Sequence, residues 1–131
     1  MRLLDSNTLI HYLQGREPVV KRMQGASPRG LRVPSVVAYE LAYGTLKSGS
    51  DRRKAAMDAI FADLVQAPFD APAAAEAACI RVELEARGVA IGPLDLMIAA
   101  TALSLGATLV TNNTREFSRI EGLRLEDWTK P

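Results

Sequence analysis

Four carboxylates are the residues of this chain whose type and position could support chemistry: Asp5, Glu40, Asp95 and Glu116. They lie in MRLLDSN, VVAYELAYG, GPLDLMIAA and TLVTNNTREF, where the neighbouring residues are apolar or a strand should end. A carboxylate in such surroundings is costly unless it is hydrogen-bonded, paired or bound to a cation. No Lys or Arg lies within one helical turn of Glu40. Because oxygen ligands without a Cys or His cluster select hard cations, the four acids predict a site for Mg²⁺, with Mn²⁺ as a possible substitute.

The chemistry that such a site favours is phosphoryl transfer. Divalent cations hold a phosphodiester, activate a water for in-line attack and neutralise the leaving oxygen, so no side-chain nucleophile is needed. The only histidine, His11, lies among apolar residues of the first helical segment, and we interpret it as a partly buried helix residue rather than a base. The sequence has no GxSxG, GxxxxGK or CxxC motif. Acyl transfer, nucleotide hydrolysis by a P-loop and thiol redox chemistry therefore lack their usual signatures.

Each acid also has a purely structural interpretation. Asp5 could cap the first helix, and Asp95 could complement a helix dipole. Glu116 could belong to an ordinary solvated turn, since TREFSR is strongly polar. Glu40 has the weakest structural interpretation, because the other members of its helix face should be in the core. The four acids together are harder to explain structurally than any one of them alone.

Length and composition predict one domain, residues 1–131, with 48% hydrophobic residues for its core. Neither a disulfide nor a structural metal is needed at this size. The single cysteine, Cys79, lies in the helical pattern AAAEAACIRVELEARG, and we expect it to pack as a small apolar residue. The start MRLLDS does not resemble a signal peptide, and no apolar run is long enough to cross a bilayer. We therefore expect a cytoplasmic protein without membrane contact.

Charge is distributed unevenly although the net charge is only +1. Residues 1–54 carry ten Lys and Arg against four acids, whereas residues 55–131 carry six against eleven. Lys47 and the run Arg52, Arg53 and Lys54 could form a basic rim that binds RNA phosphates. The alternative for each of them is a solvated helix end or loop.

The pattern along the chain alternates short strands and helices, which predicts an α/β fold with a mainly parallel central sheet flanked by helices. The predicted strands are Leu3–Leu4, Leu31–Val33, Ala67–Phe69, Thr108–Thr111 and Leu123–Leu125. The predicted helices are SNTLIHYLQG with Ser6 or Asn7 as its cap, PVVKRMQGA from Pro18, VVAYELAYGTLKSG capped by Ser35, RRKAAMDAIFADLVQ, a helix from its cap Asp70 to Arg87, and one from Pro93 to Leu105. The third and fourth of them are expected to form a hairpin. If the first and fourth strands are neighbours, Asp5 and the Thr111–Asn113 turn converge at their carboxyl ends, where ligands bind in such sheets.

The segments MRLLDSNTLIHYL, PSVVAYELAYG and GPLDLMIAATALSLGATLVTNNTREFSRIEGLRLEDW resemble the PIN-domain ribonucleases, specifically the VapC toxins of bacterial type II toxin–antitoxin pairs. The resemblance covers nearly the whole chain and implies a PIN-like α/β/α sandwich. It implies that Asp5, Glu40 and Asp95 bind metal, with Ser6 and Thr111 as supporting residues. It further implies a Mg²⁺-dependent endoribonuclease, a VapB-type antitoxin, a toxin homodimer within a larger assembly and, from GPxDxMIA and VTNNTREF, cleavage of initiator tRNA in the anticodon loop.

One position departs from the family pattern, because many PIN domains have an aspartate where this chain has Asn113. Either the fourth acid is missing or Glu116 supplies it, and an amide does not neutralise a second cation. We therefore expect one well-held ion at Asp5 and Asp95, with Glu40 acting partly through water.

Other classes of protein also place an acid after the first strand or bind metal through carboxylates. A haloacid dehalogenase phosphatase needs a second acid where Asn7 stands, and a phospho-receiver domain needs a lysine that TLVTNN lacks. A ribonuclease acting on rRNA or mRNA remains open, as does a non-catalytic, metal-stabilised regulatory or partner-binding module.

Overall fold

The computed structural model describes the chain from Met1 to Pro131. Five short strands form its central sheet: β1 (Arg2–Leu4), β2 (Leu31–Pro34), β3 (Val65–Ala67), β4 (Thr108–Val110) and β5 (Leu125–Glu126). Every neighbouring pair is parallel, in the order β3-β2-β1-β4-β5. Strands β2 and β3 therefore lie on one side of β1, and β4 and β5 lie on the other. The crevice past the carboxyl ends of β1 and β4 is where the strand order reverses, which is the usual ligand position in such a sheet.

Helices connect the strands and flank the sheet. They are α1 (Ser6–Leu13), α2 (Val19–Gly25), α3 (Ser35–Ser48), α4 (Asp51–Asp63), α5 (Ala71–Ala86), α6 (Pro93–Ser104) and the short α7 (Thr114–Phe117), with a 3₁₀ turn at Pro28–Gly30. Helices α3 and α4 contact each other as a hairpin, and α5 packs extensively on α6. No helix combines the length and apolarity needed to span a bilayer. The predicted α/β fold with a parallel sheet is confirmed.

The core lies between the sheet and its helices. Consecutive residues of β1 and β4 are buried, as expected for parallel strands covered on both faces. Its largest fully buried side chains include Phe117, Leu3, Leu4, Leu9, Leu84, Ile98 and Leu109. Because Phe117 belongs to α7, the turn that carries Glu116 is anchored in the core. The expectation that Glu116 lies in an ordinary solvated turn is therefore incomplete.

Several helix ends follow the predicted signals. The Asp70 carboxylate accepts from Ala73 N at 3.2 Å and caps α5. Gly49 ends α3 with a φ of 65°, a left-handed conformation that a residue with a side chain adopts at a cost. Pro93 occupies the first position of α6, where its missing N–H has no partner to lose.

Two predicted caps are wrong. The cap of α1 is Asp5, which accepts from Ser6 N at 2.8 Å, rather than Ser6 or Asn7. Ser35 is the first residue of α3 and makes no capping bond, because its hydroxyl donates to Gln66 Oε1 at 3.1 Å. Strand β2 ends at Pro34, one residue later than predicted, so Ser35 already lies inside the helix. Strand β1 ends at Leu4 as predicted, and α1 begins at Ser6, which leaves Asp5 as its cap.

The third strand and the cysteine also differ from expectation. Strand β3 covers Val65–Ala67 instead of Ala67–Phe69, in register with Arg32–Pro34 of β2. Pro68 follows directly and has no N–H to donate to a ladder. Cys79 is exposed, because α5 buries a different face, made by Ala73, Ala77, Ile80 and Leu84.

Candidate active site

Asp5 lies at the carboxyl end of β1 and is only 5% exposed. Its backbone N–H donates to Val110 O at 3.0 Å, which extends the pairing of β1 with β4 by one residue. One carboxylate oxygen accepts from Ser6 N at 2.8 Å and the other from Thr111 Oγ1 at 2.7 Å. Thr111 Oγ1 in turn accepts from Asn113 N at 3.0 Å. The predicted convergence of Asp5 with the turn after β4 is confirmed, and the capping role proposed for Asp5 coexists with it.

Glu40 lies in the middle of α3, with the buried Val37 and Leu41 beside it. Its Oε1 accepts from the Ser6 hydroxyl at 2.7 Å. Ser6, the first residue of α1, therefore contacts both acids: its N–H donates to Asp5 and its hydroxyl donates to Glu40. Since α3 contacts both α1 and α6, the helix brings Glu40 to the same rim as Asp5.

Asp95 is half-buried in the first turn of α6. Burial is the main factor that raises its pKa, and the negative charges of Glu40 and Glu116 raise the pKa further. Burial likewise raises the pKa of Asp5, against the hydrogen bonds from Thr111 and Ser6 and with the help of the Asp95 and Glu40 charges. Asp95 is therefore affected by the charges of Glu40 and Glu116, and Asp5 by the charges of Asp95 and Glu40.

Glu116 differs from the other three acids in having a cationic partner. Its carboxylate is paired with the Arg119 guanidinium one turn later. None of the other ion pairs involves Asp5, Glu40 or Asp95. Asp5 and Glu40 are thus held by neutral polar groups, and none of the three partly or fully buried carboxylates is paired with a protein cation. Such a set has an unbalanced negative charge that a divalent cation would neutralise.

The acids are not preassembled as a closed metal cage, since no group of three His, Cys, Asp or Glu donors meets at one point. Mg²⁺ does not require such a cage, because it keeps several waters and binds through one or two carboxylates together with substrate phosphates. The donor set, oxygen-only and uncompensated, therefore fits a hard divalent ion that is partly hydrated.

Comparison with known proteins agrees with this geometry. Residues 2–123 match the PIN domain family. The chain belongs to the PIN-domain family. The resemblance noted from the acid motifs and the expected PIN-like fold are both confirmed.

Curated relatives lie in the VapC branch of the PIN domains. The chain is 38% identical to the tRNA(fMet)-specific endonuclease VapC of Shigella flexneri, over 97% of both chains. It is 36% identical to the protein of the same name from Salmonella typhimurium, over 96% of both chains. A crystal structure of DNA-bound VapBC from Salmonella typhimurium superposes with a TM-score of 0.90 at 36% identity, covering 97% of each chain.

The four basic residues predicted to bind RNA lie on two helices of this PIN domain, Lys47 on α3 and Arg52, Arg53 and Lys54 on α4. Lys47, Arg52, Arg53 and Lys54 are all exposed. Arg52 and Arg53 line a cleft of about 330 Å³ between α1 and the start of α4. The Arg53 guanidinium lies against Gly44 of α3, 3.5 Å from where a Cβ would be, one turn beyond Glu40. Lys54 is engaged by Asp58 at 2.7 Å, so it is less free than the two arginines.

Three polar residues of the PIN site were not found from the sequence. Asn7 Nδ2 donates to Asn112 Oδ1 at 3.3 Å and joins α1 to the turn after β4. Arg119 pairs with Glu116. The spacing of Glu116 and Arg119 by three residues is the one signal that could have revealed the pair, but only if α7 had been predicted as a helix. His11 is half-buried in α1, as expected.

Proposed function

We propose that this chain is a Mg²⁺-dependent endoribonuclease toxin that cuts initiator tRNA in its anticodon loop. Membership of the PIN-domain family and the VapC ribonucleases among its relatives support endoribonuclease activity and a metal requirement. The observation that carries the proposal is the arrangement of Asp5, Glu40 and Asp95. Asp5 and Glu40 are linked through Ser6 near the switch point of the sheet, Asp95 lies near enough to Glu40 for their charges to interact, and no protein cation pairs with any of the three.

In this proposal Asp5 and Asp95 hold the metal, and Glu40 contributes partly through water. When bound, Mg²⁺ supplies activation of a water and neutralisation of the phosphate and the leaving oxygen. Thr111 fixes one oxygen of Asp5, while the N–H of Ser6 fixes the other. The hydroxyl of Ser6 orients Glu40. These bonds hold the donors before substrate arrives, so that less ordering is required on binding.

The reaction is hydrolysis of one phosphodiester. The oxygen of water forms a bond to phosphorus, the bond from phosphorus to one ribose oxygen breaks, and a proton ends on the departing oxygen. Asn113 has its backbone N–H bound to Thr111, which leaves its side-chain amide available to a water or phosphate. Glu116 lies close enough to influence Asp95 and is the candidate fourth acid.

An acidic pocket cannot attract a polyanion unaided. We therefore propose that the phosphates of the RNA backbone are bound by Lys47, Arg52, Arg53 and Lys54. Arg52 and Arg53 line a cleft beside α1. A single-stranded loop splayed from a folded stem would fit an open rim better than a regular duplex. The names of the Shigella and Salmonella relatives support initiator tRNA as the substrate.

We further propose a VapB-type antitoxin as partner and a toxin homodimer within a larger assembly, acting in the cytoplasm as one PIN domain. VapBC complexes among the structural neighbours support the antitoxin. The exposed apolar stripe Tyr39, Tyr43 and Leu46 on α3 supports association through a protein interface.

The proposal is tested by incubating the purified chain with a tRNA pool in Mg²⁺ or in EDTA and mapping the products. Cleavage of initiator tRNA in the anticodon loop, only with Mg²⁺, is expected. Cleavage of rRNA or mRNA in preference to tRNA would refute the substrate. No cleavage of any RNA by a folded, metal-binding chain would favour the non-catalytic regulatory module.

A further inference from the structure

Arg119 is the only cationic side chain that contacts an acid of the candidate site. Its Nε donates to the backbone oxygen of Glu116 at 3.1 Å, and its Nη2 pairs with the carboxylate of the same residue. Two nitrogens of the Arg119 guanidinium thus donate to Glu116. A planar fork with fixed donors suits such a double contact better than an ammonium does.

The backbone on both sides of this pair is fixed. Phe117 is fully buried and Ile120 is 4% exposed, so the chain around Arg119 is anchored in the core. Arg87, just past the end of α5, donates to the backbone oxygen of Arg119. The backbone is therefore held in place while the paired side chains remain partly exposed, at 31% for Arg119 and 44% for Glu116. A partly exposed pair of this kind can exchange partners.

We propose that Arg119 is a positioning residue that occupies Glu116 in the RNA-free protein and keeps this carboxylate out of the donor set for a divalent cation. The inference rests on the proposed function, because it takes the acids around Asp95 as the metal site. Glu116 is near enough for its charge to act on Asp95, yet Arg119 takes up its oxygen. Since a guanidinium also pairs well with phosphate, RNA offers Arg119 another anion.

The test is a calorimetric titration of the RNA-free protein with Mn²⁺. Arg119→Ala should bind Mn²⁺ about threefold to fivefold more tightly than wild type, as expected from loss of a partly exposed ion pair. Arg115→Ala is the matched control, because Arg115 is exposed, precedes Glu116 in α7 and forms no ion pair. It reports the effect of removing one positive charge nearby.

Glu116→Gln, alone and combined with Arg119→Ala, distinguishes two causes of tighter Mn²⁺ binding: release of the Glu116 carboxylate, and loss of a positive charge near the metal. If Arg119 acts through Glu116, the gain from Arg119→Ala disappears in the Glu116→Gln background. A gain no larger than that of Arg115→Ala, or one that persists without Glu116, would overturn the inference. Arg119→Gln is measured in parallel, and thermal unfolding of each variant checks that it is folded.

The Asp5→Asn variant separates this inference from the proposed function. If Asp5→Asn does not weaken Mn²⁺ binding, the metal site itself is wrongly assigned and both ideas fail. If Asp5→Asn weakens binding while Arg119→Ala leaves it unchanged, only the role of Arg119 is refuted.

Discussion

At the scale of single residues, the site depends on carboxylates that remain uncompensated by protein cations. Asp5 is buried with two hydrogen-bond donors, and burial together with nearby charge disfavours its ionised form. The folded protein without metal therefore bears an electrostatic cost. At the proposed metal site a divalent cation would remove that cost, which would couple metal binding to stability.

Neutralising Asp5 or Asp95 should separate activity from folding. Asp5→Asn and Asp95→Asn are each expected to lower cleavage at least a hundredfold, since even indirect partners of a metal cost ten- to hundredfold. Without metal, each variant should be as stable as wild type or slightly more stable, because repulsion is relieved. Cleavage assays and thermal unfolding in EDTA measure both effects. Wild-type turnover in either variant would show that the substituted aspartate does not bind the catalytic metal.

The same acids predict a pH dependence of stability in EDTA. The pKa of Asp5 is higher in the folded than in the unfolded chain, so the unfolded chain loses its proton first as the pH rises past about 4. The free energy of unfolding contributed by Asp5 should fall from there until the pH passes its folded pKa. Asp5→Asn removes this decrease. The difference in unfolding free energy between wild type and variant, measured from pH 3 to pH 8, should therefore fall; a constant or rising difference would contradict the assignment.

The pairing of Asp5 with Thr111 could be predicted from the sequence, because both residues end strands that a parallel sheet brings together. The pairing of Glu116 with Arg119 could not. Four residues of TREF are too few for a periodic pattern to identify a helix, and α7 exists because Phe117 is buried by the rest of the fold. The contact depends on tertiary packing, which a local pattern does not contain.

At the scale of elements, the order of strands decides which loops form the site. Helix α3 carries Glu40 and helix α6 carries Asp95. Asp5 and Thr111 directly follow β1 and β4, and their side chains are hydrogen-bonded to each other. Strand ends were predicted less well than helices. Each strand is only two to four residues long, so its limits depend on the register with its neighbour more than on its own composition.

A polar cluster connects β1 with β5 and the residue Trp128 that follows it. Glu126 Oε2 accepts from Arg2 Nε at 2.7 Å and from Trp128 Nε1 at 3.0 Å. The hydrogen bond from Arg2 is the largest of the effects that lower the pKa of Glu126. Because the folded pKa lies below the unfolded one, this stabilisation is present above the unfolded pKa and is lost as the pH falls through the folded pKa.

Glu126→Gln should therefore destabilise the protein near neutral pH and have a smaller effect in acid. The loss should not exceed about 1 kcal/mol, because the pair is partly exposed. Glu121→Gln, at an exposed acid without a hydrogen-bond partner, is the matched control. Denaturant unfolding at pH 7 and at pH 3 measures the change. Equal losses for both variants would show that the contact with Arg2 contributes nothing specific.

At the scale of the whole molecule, charge is uneven along the chain: residues 1–54 are net basic and residues 55–131 are net acidic. The near-zero net charge excludes strong general attraction to nucleic acid, so RNA binding depends on where the cations lie. Arg52 and Arg53 at the cleft beside α1 are the residues best placed for it.

Reversal of Arg52, Arg53 and Lys54 to Glu should raise KM for an anticodon stem-loop about tenfold or more at moderate salt, with a much smaller effect on kcat. A matched control is Lys21→Glu with Arg81→Glu and Lys130→Glu, which reverses the same number of charges at three exposed positions elsewhere in the chain. Steady-state kinetics in Mg²⁺ measure both constants. An unchanged KM would mean that the run is only a solvated helix start.

The most direct measurement is the chemistry of the ends that cleavage leaves on initiator tRNA, with and without Mg²⁺. Hydrolysis by water, with Asp5, Glu40 and Asp95 holding the metal, predicts linear monophosphate ends, cleavage of a substrate with a 2′-deoxyribose at the cut, and no product in EDTA. A 2′,3′-cyclic phosphate formed equally well in EDTA, with loss of cleavage at the 2′-deoxy position, would contradict a metal-dependent mechanism at these carboxylates.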